Sequence, residues 1–182
     1  MSIGFKEWAL VCDALGGGRQ SIILRKGGIA EGRDGFRFQH ATFLLMPTLF
    51  HEQVNKLKLS ETTPVPQLKN GTHSLNLRAV VEWTQDLTDW DQIKRLDTLH
   101  IWKEQVLRER FEYDHKQGLS LAFLRIYRLH APFEFPDAPK YGGCRSWVNI
   151  PDTSLTTAGT PVLDDTSHQT AEDAVRVALR WH

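Results

Sequence analysis

Hydrophobic and polar positions alternate most regularly over residues 119–129, LSLAFLRIYRL. Leu121, Phe123, Arg125, Tyr127 and Leu129 fall on one face; Ser120, Ala122, Leu124, Ile126 and Arg128 fall on the other. A period of two marks a strand, because successive side chains of a pleated backbone point to opposite sides. Residues 74–84 (SLNLRAVVEWT) alternate in the same way and predict a second long strand. Residues 7–14 (EWALVCDA) carry apolar groups on both sides and read as a strand buried on two faces. The glycine-rich segment 15–20 then leads into 21–24, so this pair predicts a hairpin. Another strand, ending over 42–46, is expected to stop at Pro47, which offers no N–H to a ladder.

Helical spacing appears elsewhere. Residues 50–59 (FHEQVNKLKL) predict a short helix. Thr88 reads as an N-cap with Asp91 three residues on, ahead of Ile93, Leu96, Leu99 and His100 at helical spacing. Residues 102–111 continue as a second helix or a kinked extension. Ala171, Ala174, Val175, Ala178 and Trp181 form the apolar face of a C-terminal amphipathic helix. Pro64 and Pro66 mark 62–71 as a surface loop, and Pro132, Pro136 and Pro139 predict an extended connection before a short strand over 146–150. The expected fold is α+β: a mostly antiparallel sheet, able to curl into a small barrel, with two central helices and a C-terminal helix. Residues 1–150 read as one domain and 151–182 as a linker plus the last helix. No βαβ rhythm supports a doubly wound nucleotide fold.

Composition narrows the function classes. The chain has 182 residues, 41% hydrophobic and 24% charged, as expected of a soluble globular chain. No apolar run reaches the ~18–20 residues needed to cross a bilayer. The opening MSIGFKE carries no basic segment followed by an apolar core, so a cytoplasmic location is expected, with Cys12 and Cys144 as thiols. Formal net charge is zero, which excludes a protein that coats nucleic acid by bulk charge alone. The charge is nonetheless uneven. Residues 1–60 hold eight Lys/Arg against five Asp/Glu, whereas 146–182 hold two against five.

Four stretches could carry chemistry. In QSIILRKGGIAEGRDGFRF, Arg25 and Lys26 precede Gly27 and Gly28, a pattern that could cradle an anion. It is not a phosphate loop, because the lysine comes before the glycines and no helix signal follows. His51 and Glu52 follow a strand end, but Asn55 stands where a zincin would have its second histidine, so no metal or cofactor is implied. His100 and Trp102 lie near Arg108 and Arg110, where a ring beside cations could stack a base. Finally, KYGGCRSW places Tyr141, Gly142, Gly143, Cys144 and Arg145 together, repeating the theme of basic residues beside paired glycines. Cys144 could act as a nucleophile if a histidine reached it. Each stretch also has a structural reading: a charged turn, a capping histidine, a core tryptophan, a close-packed glycine pair.

The segments FKEWALVCDAL, ILRKGGI, FLLMPTLFHEQ, LHIW, LRIYRL and YGGCRSWV together resemble a bacterial family catalogued as a domain of unknown function, number eighteen-zero-two. The resemblance spans 5–150 and leaves the tail outside. It implies no established catalytic residues. It does imply an association with restriction-endonuclease-like domains, hence a DNA-related or defence role. No D/E-x-K stands on a predicted strand, which argues against this chain cutting DNA itself. The β-rich core is also similar, at the level of fold, to small barrel modules that read RNA or modified bases. The leading expectation is a non-catalytic binding module for nucleic acid or a nucleotide-like ligand, through Arg25, Lys26, Gly27, Gly28, His51, His100, Trp102, Arg110, Tyr141 and Arg145. The alternatives are a small enzyme using His51 or His100 with Cys144, and a protein-interaction subunit, for which a homodimer would be the form.

Overall fold

A computed structural model describes residues 2–26, 36–113, 117–143, 145–152 and 159–180. In chain order the elements are β1 (Ser2–Trp8), α1 (Ala9–Gly16), β2 (Ile22–Arg25), β3 (Thr42–Thr48), β4 (Thr72–Leu87), α2 (Trp90–Arg95), α3 (Glu104–Glu112), β5 (Leu119–Pro136), β6 (Trp147–Ile150), β7 (Gly159–Pro161) and α4 (Asp165–Leu179). A 3-10 helix, His51–Lys56, lies between β3 and β4. The strands form one sheet in the order β2-β5-β4-β3-β1-β6, with β7 added to β5. All pairings are antiparallel except β1 with β3. The expected α+β class and mostly antiparallel sheet are therefore present, and the sheet does not close into a barrel. Its two ends do approach each other: Arg25, the last residue of β2, reaches Ser146, which precedes β6.

The alternation read from the sequence determines the layers. In β3, Phe43 and Leu45 enter the larger core, while Leu44 and Met46 enter a smaller one on the opposite face. That strand is buried on both sides, as its unbroken apolar run requires. The larger core holds Phe5, α1, β2, Trp102, α3 and the buried face of β5. The smaller holds Leu75, Phe135, Tyr141, Val148 and Ile150. A register shift between Val81 and Trp83 re-aims β4, so that Trp83 stacks on Phe123 at 5.3 Å and 14°. Polar contacts then hold α4 against this face. Trp83 donates to Glu172 at 2.9 Å, His168 pairs with Glu82 at 2.8 Å, and Val175 and Leu179 join the larger core.

Several local expectations are corrected. Residues 9–14 are helix, not strand, and no hairpin joins them to β2, which pairs with β5 instead. A short run that is apolar all round has no period to distinguish the two, and Ala and Leu favour helix. Glycine then ends α1. Gly18 donates to Leu15 O and Arg19 to Ala14 O, with Gly18 at φ +69°. Pro47 lies inside β3, past the point where β4 stops pairing, so its missing N–H removes no bond to that neighbour. Pro132 also lies inside its strand, in the irregular stretch of β5 between the partners of Leu75 and Leu77. Asp89 rather than Thr88 caps α2, accepting from Asp91 N–H at 2.9 Å. Trp102 precedes α3 and bridges to Leu57.

Gly18 gives a direct test of this turn. An added Cβ there would stand 2.6 Å from Leu163 Cδ2, and positive φ itself costs about 1–2 kcal/mol for an L-residue. Gly18→Ala is expected to lower the melting midpoint by about 2–8 °C. A melt equal to the parent's would refute the left-handed turn.

Candidate functional site

Residues from four elements meet where the sheet's two edges come together. Strand β1 carries two adjacent charges, Lys6 and Glu7, between Phe5 and Trp8, and burial takes both out of water. Glu7 is 0% exposed. Its Oε1 accepts from Trp8 N–H at 2.8 Å, whereas Oε2 has no hydrogen-bond partner and lies 3.7 Å from Arg25 Nη1. A buried carboxylate is tolerable only beside opposite charge. Arg25 supplies it from the end of β2, and donates to Ser146 Oγ from Nε and Nη2 at 3.3 and 3.2 Å. Its guanidinium also sits over the Phe5 ring, 5.4 Å from the centroid.

Arg110 approaches from α3. It lies over Trp8 at 4.6 Å and Trp102 at 5.6 Å, and donates to Leu24 O at 3.4 Å. Burial lowers its pKa to about 10; Glu7 opposes that change and Arg25 adds to it. At neutral pH it still carries its charge. Lys6 extends to the other side, donating to Tyr141 O at 2.8 Å and Gly143 O at 2.6 Å. It therefore ties β1 to the second glycine pair. Gly143 has φ +76°, and nothing stands within 4 Å of where its Cβ would be, so it borders open space.

Next to Arg25 lies a partly exposed aromatic cluster. Trp147, the residue after Ser146, contacts Phe5 at 4.8 Å, and His40 meets its ring edge-on at 4.9 Å. Phe36 stacks parallel to Trp147 at 6.1 Å. Trp147, Phe38 and His40 all retain partial exposure. Rings beside guanidinium groups can receive a flat ligand between stacking and charge.

The positions picked from the sequence divide clearly. Arg25 lies 3.7 Å from Glu7 and Arg110 feels the charge of the same carboxylate, Lys26 follows Arg25 at partial exposure, and Arg145 is exposed beside Ser146. Gly27, Gly28 and Cys144 lie outside the described residues. His51 is exposed at the start of the 3-10 helix. Trp102 is 0% exposed behind Arg110. Tyr141 packs against Phe135 and His73 in the smaller core. His100 is buried with both ring nitrogens unpartnered, and burial, aided by the charge of Lys58, lowers its pKa to about 3. It stands neutral at any ordinary pH.

Sequence reasoning missed Lys6, Glu7, Ser146, His40 and Trp147. The available signal was a charge pair inside an apolar strand, since buried charges persist only with partners. Among the described residues no group of His, Cys, Asp and Glu is arranged to hold a metal ion, and no helix is long and apolar enough to cross a membrane.

A family model described as Domain of unknown function (DUF1802) matches residues 4–174. The match runs well past residue 150 and takes in most of α4. No curated protein matches the chain in sequence. Among solved structures, the ASCH protein from Zymomonas mobilis is similar at 14% identity and TM-score 0.46, with 94% of each chain covered. Its serine-to-alanine mutant is similar at 14% identity and TM-score 0.49, covering 86% of this chain and 91% of that one. The tyrosine-to-phenylalanine mutant gives 13% and 0.46, covering 86% and 93%. The functional reading rests on this chain's own residues.

Proposed function

We propose that this chain, which belongs to the family described as Domain of unknown function (DUF1802), is a non-catalytic binding module for nucleic acid or a nucleotide-like ligand. One observation carries the reading. Arg25 lies 3.7 Å from the single buried carboxylate of Glu7, whose charge also acts on Arg110, and the partly exposed rings of Trp147 and His40 adjoin, with Lys26 and Arg145 next in the chain to Arg25 and Ser146. The chain is neutral overall, so this is the local patch that a binding role would need. In this reading Arg145 and Lys26 meet phosphate, and Trp147 and His40 stack a base. Gly143 allows close approach, and Gly27 and Gly28 are assigned the same part. Arg110 and Arg25, held by Glu7, raise the local potential. Trp102 backs Arg110 and His100 packs on Trp102, Tyr141 accepts from Lys6 through its carbonyl oxygen, and His51 is assigned to the same ligand. A role in bacterial restriction or defence belongs to this proposal as its cellular setting.

Filter binding with single-stranded and double-stranded oligonucleotides at about 50 and 200 mM salt tests it. The expected affinity falls steeply with salt, and Arg145→Ala lowers the slope of log K against log salt by about one. Binding that ignores salt, or no binding to either form at the lower salt, overturns the reading.

A further inference from the structure

On another part of the molecule, a cleft of about 220 Å³ opens between the C-terminal end of α1 and strands β3, β4 and β5. It is far larger than the ~10–15 Å³ that holds one water, and smaller than the ~300–1,000 Å³ of sites for drug-sized ligands. Its size suits one small ring system. Leu45 and Pro47 contribute apolar wall; Asp13, Ser74, Asn76 and Arg128 contribute polar groups.

The polar groups are arranged as acceptor beside donor. Arg128 donates one Nη2 bond to Gly16 O at 2.5 Å, which fixes the guanidinium at the helix end and leaves its other N–H groups for a ligand. Asp13 lies one helical turn before Gly17, whose N–H bonds Asp13 O at 2.9 Å. Partial burial raises the Asp13 carboxyl above its ordinary value, against the pull of Arg19 and Arg128. Asp13 is exposed in the lining of the cleft, so its carboxylate is open to N–H donors of a ligand. Among the described residues, the side chains of Asp13, Ser74 and Asn76 make no hydrogen bond with the protein.

We propose that this cleft binds a guanine-type base, with Asp13 accepting from its two adjacent N–H donors, Arg128 donating to its carbonyl oxygen, and Leu45 and Pro47 against the ring. The chemistry selects a planar ring that offers a carbonyl beside a pair of N–H groups. Adenine presents no such carbonyl, and cytosine and uracil present no paired donors next to one. The inference stands on this cleft alone and does not rest on the Arg25 site.

The full chain is titrated with guanosine, adenosine, cytidine and uridine, with binding read from amide chemical shifts. Guanosine is expected to saturate at about 0.1–1 mM and to bind at least about tenfold tighter than the other three. Shifts are expected at Gly17 and Asn76. Asp13→Asn weakens guanosine about tenfold or more, and exposed Asn76→Ala weakens it less while leaving the melt unchanged. Arg145→Ala leaves guanosine binding at the parent's value, which separates this site from the one at Arg25. Equal binding of all four nucleosides, absence of saturation, or an Asp13→Asn variant that binds as the parent does would overturn the proposal. A guanine-bearing oligonucleotide that binds where guanosine does shows that the cleft takes a base within a strand as well as a free nucleoside. An oligonucleotide that leaves Gly17 and Asn76 unshifted confines the cleft to free nucleosides.

Discussion

Between pH 7.5 and 5 the fold is expected to lose about 2 kcal/mol through His100 alone, rising to about 3 kcal/mol at pH 4. The ring is 4% exposed, neither nitrogen has a hydrogen-bond partner, and its pKa drops from 6.5 to about 3. Burial is the main cause; Lys58 and Arg110 add to it, and Asp97 opposes it. The folded pKa lies below the unfolded one. Below pH 6.5 the unfolded chain therefore takes up a proton that the folded chain refuses, and stability falls until the pH reaches about 3. Urea unfolding of the parent and of His100→Gln at pH 7.5 and 5 checks this. Whatever the substitution costs at pH 7.5, the variant is expected to lose about 2 kcal/mol less than the parent on going to pH 5. Equal losses in the two proteins would rule out the buried neutral histidine.

The larger loss at neutral pH is expected from Glu7. Removing one partner of a buried ion pair typically costs about 3–5 kcal/mol, because the other charge is left uncompensated. Here two guanidinium groups depend on the one carboxylate, since Arg25 lies 3.7 Å from Oε2 and Glu7 also acts on Arg110. Glu7→Ala further removes the acceptor of Trp8 N–H. A fall of about 6–20 °C in melting midpoint follows. Arg25→Ala alone is expected to destabilise as well, by stranding the carboxylate. The double variant should then cost less than the sum of the two by about 0.5–3 kcal/mol. Additive effects would show that the 3.7 Å approach carries no coupling.

The parts of the fold legible in advance were those with a strong period. The alternation over 119–129 and 74–84 found β5 and β4, and the spacing of Ala171, Ala174, Val175 and Ala178 found α4. The sequence misled where a run was short and apolar on every side, as in α1, whose helical and extended forms bury the same residues. It misled again at proline. Pro47 and Pro132 punctuate a sequence, but in space each sits where one neighbouring strand has already dropped its pairing.

The candidate site followed the same division. The sequence by itself determined an α+β chain of neutral charge and two basic glycine-pair segments over a hundred positions apart. Those features depend on residue type and local spacing, which a linear reading holds. Only the tertiary structure decided that Arg25 and Ser146 meet, that Lys6 reaches Gly143, and that Arg110 faces Glu7. These contacts join residues 86 to 137 positions apart in the better-separated cases, such as Arg110 with Leu24 and Lys6 with Gly143. Strand order sets them, and strand order is a property of how the whole sheet buries its two faces. The recurring glycine pairs thus gained a physical connection: Arg25, at the edge of the first, and Ser146, just after the second, share a hydrogen bond because β2 and β6 end the same curled sheet.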